Sequence, residues 1–280
     1  MKLGLNMLLW TTQVGEEHFP LFTELKKMGY DGVEFPLFAP DDARYRRVRA
    51  ELDAHGLECT SVSVATAEAN PISSEAAVRR AAVDAIKTAI HTTHLLGGTV
   101  LCGPLHSALG RFAGRGRTAD EWAWCVETLQ QVGDFAEQAQ VTVAIEALNR
   151  FECYFLNTAE DTRGLVDAVG HPNVRAMYDT FHANIEERDI AEAVGTLAPV
   201  LAHVHISENH RGTPGEGLVR WPETFAELKS NRYDGWLTIE SFGPTLPDLS
   251  AMCIWRSLFD SEMGLARRGL EFMRAGIADT

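Results

Sequence analysis

At 280 residues the chain is longer than most single domains yet within the range of a one-domain α/β barrel, and 45% hydrophobic with 23% charged residues is an ordinary globular balance. Acidic residues outnumber basic ones 39 to 25, and the resulting formal charge of −14 repels phosphate backbones and anionic membranes, which argues against a nucleic-acid or membrane-surface binder. Five scattered cysteines with no C-x-x-C pair indicate neither a thiolate zinc site nor a disulfide framework. The N-terminus lacks a signal-peptide pattern and no apolar run reaches membrane-spanning length, so a cytoplasmic protein is expected.

Two kinds of segment alternate along the chain. The first strand is expected over Lys2 to Trp10, followed by a helix from about Gly15 to Met28. Gly32 to Phe35 and a polar helix from Asp41 to His55 form the second pair. Cys59 to Ala65 alternates Ser and Val, a β signal, and an Ala-rich helix runs from Ser74 to Leu96. Gly98 to Cys102 is the fourth strand, with a Gly/Arg-rich loop from Gly103 to Arg117. Thr118 and Glu121 read as a capping box, behind which Trp122, Cys125, Val126, Leu129, Val132, Phe135 and Ala136 share one helical face. Val141 to Glu146 with a helix from Thr158 to Val169 is the fifth pair, and Val174 to Asp179 with Ile190 to Leu197 the sixth. Leu201 to Ile206 precedes a helix from Pro222 to Ser230, with Pro222 suited to a first turn. Gly235 to Glu240 is the eighth strand, and a helix from about Ser250 to Met273 closes the chain.

Eight β-then-α units without a composition break predict a parallel sheet covered by helices and closed into a single (β/α)8 TIM barrel over residues 1–280. An open Rossmann-like sheet would need a G-x-G-x-x-G at a strand-to-helix turn, and none is present. The glycines from Gly110 to Gly116 carry no Walker lysine and read as a mobile loop.

Barrel enzymes carry their chemistry at the C-terminal strand ends. Strand five ends on Glu146, strand six on Asp179 and strand eight on Glu240, and strand seven carries His205 near its end. Each alone could be a helix cap or a surface charge. Together they bring three carboxylates and one imidazole to one mouth, a donor set suited to Mn²⁺, Co²⁺ or Mg²⁺ rather than a thiolate-preferring metal. Glu240 is the most telling, because Leu237-Thr238-Ile239 drives it out of an apolar strand. His203 shares the face of His205, so one of the two is expected to pack beside the site.

The longer motifs around these residues carry a resemblance. Ile145 to Glu152 (IEALNRFE), Asp179 to Glu187 (DTFHANIEE), His203 to Arg211 (HVHISENHR) with Pro214 to Gly217 behind it, and Ile239 to Phe242 (IESF) resemble strand-end motifs of the D-tagatose/D-psicose 3-epimerases, in the xylose-isomerase-like barrel superfamily. The resemblance implies one divalent cation, Mn²⁺ first, held by Glu146, Asp179, His205 and Glu240. It implies that Glu146 and Glu240 also move the substrate C3 proton, one on each face, through a cis-enediolate. Glu152, His182, Arg211 and Phe242 are implied as substrate contacts. The substrates implied are free ketoses: D-tagatose/D-sorbose, D-fructose/D-psicose or L-ribulose/L-xylulose. A homodimer or homotetramer is implied as well, with the region from Trp255 to Met273 a candidate face.

Some positions depart from that pattern or leave alternatives open. Asn6 stands in strand one where these epimerases often carry an aromatic residue shaping the far end of the sugar pocket. Glu34, ending strand two, is either a partner behind the site or a helix cap. The strand-four loop, with Pro104, His106 and Arg111, gives no assignment. The rival readings are an aldose–ketose or keto-sugar isomerase on the same metal site, a superfamily endonuclease, and a non-catalytic sugar-binding barrel. The charge of −14 opposes the endonuclease, and retention of both strand-end glutamates opposes the binding barrel.

Overall fold

Eight parallel strands follow the order of the sequence and close β1 onto β8 in the computed structural model, which describes residues 1–243, 246 and 253–279. The strands are β1 (Lys2–Asn6), β2 (Gly32–Pro36), β3 (Glu58–Val62), β4 (Val100–Gly103), β5 (Thr142–Ile145), β6 (Val174–Asp179), β7 (Leu201–Ile206) and β8 (Trp236–Ile239). Parallel neighbours require a crossover, and helices supply it. They are α1 (Phe19–Met28), α2 (Asp42–His55), α3 (Ala76–Leu96), α4 (Ala119–Gln138), α5 (Ala159–Val169), α6 (Thr180–Glu186), α7 (Ile190–Leu197), α8 (Trp221–Ser230) and α9 (Glu262–Ala278).

Because a strand alternates its side chains, each one feeds two layers. Leu5, Val33, Leu101, Val143, Val204 and Leu237 join helix residues such as Phe22, Leu52, Ile90 and Leu129 in one large apolar cluster. Val62, Val100, Cys102, Ala144, Met177 and Trp236 form a second cluster, with Leu8 and Phe242 joining it. Among these apolar layers sit fully buried polar residues, Asn6, Glu34, Thr60, His203 and His205. Buried polar groups of this kind must find partners or a ligand.

Local signals behave as expected at α4, where Thr118 and Glu121 form the reciprocal capping box. Three elements differ from the sequence reading. β1 stops at Asn6 rather than Trp10, because the Asn6 side chain accepts the backbone N–H of Leu8 at 2.8 Å and turns Met7–Leu9 into a 3-10 helix. A short helix, α6, follows β6 directly. The last helix starts at Glu262, where Ser261 caps the N–H of Gly264, and the expected start at Ser250 lies outside the described residues. No helix among the described residues is long and apolar enough to cross a membrane.

Candidate active site

Strand register brings the candidate ligands together. Asp179 pairs with His205 across β6 and β7, and Ile206 with Ile239 across β7 and β8. The ladders continue one residue past two strands: the Glu146 N–H donates to the Gly103 carbonyl at 3.1 Å, and that of Glu240 to the Ile206 carbonyl at 3.2 Å. Both glutamates are thereby held on sheet backbone rather than on free loops. Gly103 is required where it stands, since it adopts φ +123° and a Cβ there would lie 2.1 Å from the Ser63 carbonyl oxygen.

His205 lies at the centre. Its Nδ1 is 3.6 Å from Oδ2 of Asp179 and 3.4 Å from Oε1 of Glu240. Glu146 joins from the far side, its Oε1 3.6 Å from Nε2 of His182. Two overlapping groups, Glu146 with Asp179 and His182, and Asp179 with His205 and Glu240, have ligand-type atoms close enough for one cation, and they share Asp179. His205 Nδ1 and Asp179 Oδ2 are buried without a hydrogen-bond partner. Two orphaned ligand atoms aimed at each other among carboxylates are what a divalent cation would satisfy. The charges agree: burial first, then the neighbouring Glu240 and Asp179, push Glu146 well above the usual carboxylate range. Burial opposes ionisation of Asp179 too, but the neighbouring His182, His205 and Arg211 reverse it and hold the group low.

Asp179 has two roles in the geometry. Its Oδ1 accepts the backbone N–H groups of Phe181 at 2.7 Å and His182 at 2.9 Å, capping α6, which leaves Oδ2 for the centre. The cap also fixes the direction of His182, whose Nδ1 accepts the Asn149 backbone N–H at 3.0 Å. Burial lowers His182 to about 4, so the ring is neutral, and its Nε2 lies 3.2 Å from Nη2 of Arg211.

Arg211 also lines the mouth. It is buried and left-handed, φ +62°, with its N–H on the Glu208 carbonyl and its own carbonyl accepting Ser241 Oγ. Its guanidinium lies 3.7 Å from the Phe181 ring centroid and 5.0 Å from that of Phe242, while Nη1 reaches Oε2 of Glu240 at 2.5 Å. The loop carrying it is organised by Glu208, buried, which accepts Gly215 N–H, Val219 N–H and Trp221 Nε1–H.

These residues line a cavity of about 350 Å³. One side presents Glu146, Glu152, His182, Arg211 and Glu240, and the rest is largely apolar: Leu8, Phe38, Val62, Val64, Pro104, Leu109, Leu148 and Phe242, with Thr12 and Gln13. Glu152 is held by Asn149 Nδ2 on Oε1, at 2.8 Å, and its Oε2 is buried without a partner. The sequence-predicted residues Glu146, Glu152, Asp179, His182, His205, Arg211, Glu240 and Phe242 thus converge on one mouth.

Other expectations are corrected. Asn6 does not reach the sugar-sized cavity; it lies behind it, donating to Glu34, and Leu8 lines the wall instead. Glu34 is no helix cap: it is fully buried behind His205. Burial would raise it, but the flanking imidazoles of His205 and His203 leave it well below the usual range. The stretch from Gly110 to Gly116, read as mobile, is tied down at its ends. Gly110 N–H donates to the Glu152 carbonyl, Arg115 makes two bonds to Glu121, and Arg117 pairs with Asp161. Sequence reasoning missed Phe181, Asn149 and Glu208 as members of the site's frame; the one signal for them was their place inside long motifs.

The sequence profile of the xylose isomerase-like TIM barrel matches residues 22–276. The chain is 33% identical over 279 residues to a ketose 3-epimerase of Arthrobacter globiformis, covering 98% of this chain and 96% of that one. It is 32% identical over 251 residues to an L-ribulose 3-epimerase of a Methylomonas species, covering 89% and 87%. A crystal structure of D-allulose 3-epimerase from Methylomonas in complex with D-allulose superposes with a TM-score of 0.92 at 29% identity, covering 98% of this chain and 96% of that one. Barrel, strand-end cluster and whole-length similarity agree, and the chain belongs to the xylose isomerase-like TIM barrel family and, within it, to the ketose 3-epimerases.

Proposed function

We propose that the protein is a metal-dependent ketose 3-epimerase that interconverts free ketoses by removing the C3 proton on one face and returning it on the other. The observation that supports it most is the set of unpartnered buried atoms at one mouth, Asp179 Oδ2, His205 Nδ1 and Glu152 Oε2, between Glu146 and Glu240. Glu146, Asp179, His205 and Glu240 would hold one divalent cation, Mn²⁺ first with Co²⁺ and Mg²⁺ as alternatives. When bound, such a cation supplies Lewis-acid stabilisation of the charge that gathers on the sugar oxygens as C3 loses its proton.

The chain's own residues do the rest. A proton beside a ketone is weakly acidic, so its removal needs a carboxylate placed at hydrogen-bond reach and a second group to protonate the opposite face. Glu146 and Glu240 fill these places, each on a rigid ladder end. Their surroundings differ: Glu146 sits among carboxylates, while Glu240 is ion-paired to Arg211. His182 Nε2–H and Arg211 donate to the oxygens at the carbonyl end and orient them against the two glutamates. Glu152 Oε2 accepts from a substrate hydroxyl. Phe242 and the apolar wall exclude water from the cis-enediolate, which protects it from stray protonation. D-tagatose, D-fructose/D-psicose and L-ribulose are the substrates to try first.

The test is isotopic. Mn²⁺-loaded protein is incubated in D2O with D-tagatose, D-fructose and L-ribulose separately, and products are resolved by chromatography and NMR. Deuterium at C3 of a 3-epimer, abolished by EDTA and by Glu240→Gln, is the expected result. Label at C1 or C2 with an aldose product would make the protein an aldose–ketose isomerase instead, and no exchange on any sugar would overturn the reading.

A further inference from the structure

We infer that Glu34 is a positioning residue that fixes which nitrogen of His205 faces the metal site, and so sets the affinity of that site for its cation. The inference rests on the metal-centre reading above and concerns a residue outside the proposed ligand set.

Glu34 is the middle residue of β2 and is fully buried. Four hydrogen bonds meet its two oxygens. Oε1 receives Asn6 Nδ2 at 2.8 Å and lies 2.7 Å from His205 Nε2. Oε2 receives Thr60 Oγ1 at 2.8 Å and Cys102 Sγ at 3.3 Å, and His203 Nε2 stands 2.8 Å away. The orientation of Asn6 is not free, because its Oδ1 is already occupied by the Leu8 N–H. Its amide therefore presents Nδ2 to Glu34, and Oε1 is an acceptor there. A carboxylate has about four lone-pair sites, and these contacts fill them with donors drawn from β1, β3, β4 and β7.

Such a carboxylate accepts a hydrogen bond from the Nε2–H of His205 and leaves its Nδ1 as the lone-pair face. That face is the one 3.4 Å from Glu240 and 3.6 Å from Asp179. A metal-binding imidazole whose second nitrogen donates to a carboxylate is held in one tautomer and one ring orientation, and it becomes a stronger ligand. Glu34, Cys102, His203 and His205 also form a group of metal-type residues. The saturated oxygens of Glu34 and the short contacts to its neighbours make that group a hydrogen-bonded support rather than a second cation site.

Glu34→Gln tests this with the full-length protein. A glutamine keeps the size but replaces one acceptor by an NH2 group that opposes the surrounding donors. Calorimetric titration with Mn²⁺ alone should give one site in the wild type and a Kd weakened about 10- to 100-fold in Glu34→Gln. Thr60→Val, which deletes one donor to Glu34 without touching either histidine, should leave the Kd within about threefold, separating positioning from general packing. Two Mn²⁺ equivalents in the wild type, equal losses in the two variants, or a Glu34→Gln Kd within twofold of the wild type would each overturn the role of Glu34 while sparing the metal site. A wild type that binds no Mn²⁺ would overturn both.

If Glu34→Gln does not fold, the wild type still decides the matter. In ¹⁵N-histidine-labelled protein loaded with diamagnetic Mg²⁺, and assigned with His205→Asn, His205 should carry its proton on Nε2. A proton on Nδ1 with a bare Nε2 would overturn the inference.

Discussion

The backbone N–H of Asn149, in the loop after β5, donates to Nδ1 of His182 on α6 at 3.0 Å. This contact decides what His182 can do: with Nδ1 taken by a backbone donor and the ring neutral, Nε2 is left to carry the proton toward the cavity, beside Nη2 of Arg211 at 3.2 Å. A donor with no competing protonation in the neutral range should serve a carbonyl or hydroxyl oxygen. His182→Leu is expected to lower kcat/KM for D-psicose by about 10- to 100-fold, the loss of one hydrogen bond at a charged reacting centre. Steady-state kinetics checks this, and an unchanged kcat/KM would remove His182 from the substrate contacts.

Glu146 is raised by burial and by Glu240 and Asp179, so without a cation it is a source of repulsion. Glu146→Gln should therefore raise the Tm of the metal-free protein while eliminating detectable turnover. Mn²⁺ at about 100 times its Kd should stabilise the wild type by about 2.7 kcal/mol. The same addition should stabilise Glu146→Gln markedly less. Scanning calorimetry with and without EDTA reads both effects.

Phe181 stacks on the Arg211 guanidinium at 3.7 Å. Removing the ring with Phe181→Leu keeps the apolar volume roughly but frees the arginine, at a cost of about 0.5–2 kcal/mol. KM should rise about threefold to tenfold with a smaller change in kcat. Arg211→Lys should lose more than this, because an ammonium cannot lie flat between Phe181 and Phe242 while also reaching Glu240.

The bidentate bond from Arg115, followed by the Thr118 N–H and Tyr154 hydroxyl, holds Glu121 at about 2 despite opposing burial. A carboxyl whose pKa is depressed on folding contributes stability above its ordinary value, and that contribution fades as pH falls through the folded value. The window here is from about 4.5 down to about 2. Arg115 is half exposed, so screening leaves about 1 kcal/mol at neutral pH. Glu121→Gln should lower Tm by about 2–4 °C at pH 7, and the gap from wild type should narrow on acidification. A gap independent of pH would refute the assignment.

The sequence showed most clearly what depends on strand ends. Glu146, Asp179, His205 and Glu240 could be placed because an apolar strand ending in a carboxylate or imidazole is visible within a few residues, and a barrel gathers its strand ends. For Asp179 the two competing readings, helix cap and candidate ligand, both describe the geometry, one per oxygen. Glu34 was left between two readings, a partner behind the site and a helix cap, since its partners lie 26 to 171 residues away and only the closed sheet makes them neighbours. Asn6 was misplaced for a similar reason: the turn it caps moves the wall position to Leu8. The loop after β4 looked free from its glycines alone, and the arginines that anchor it needed distant carboxylates to be recognised.

The hydrogen-bonded support behind His205 draws on five strands, whereas the wall around the rest of the sugar-sized cavity comes largely from single side chains outside the strands such as Leu8, Phe38, Val64 and Leu109. Variation therefore meets very different resistance in the two places. A mutagenesis library seeking new sugar preferences should randomise that wall, where changes are local, and hold Asn6, Glu34, Thr60 and His203 constant. The same division gives such a lineage freedom to exchange substrates repeatedly while inheriting one unaltered reaction.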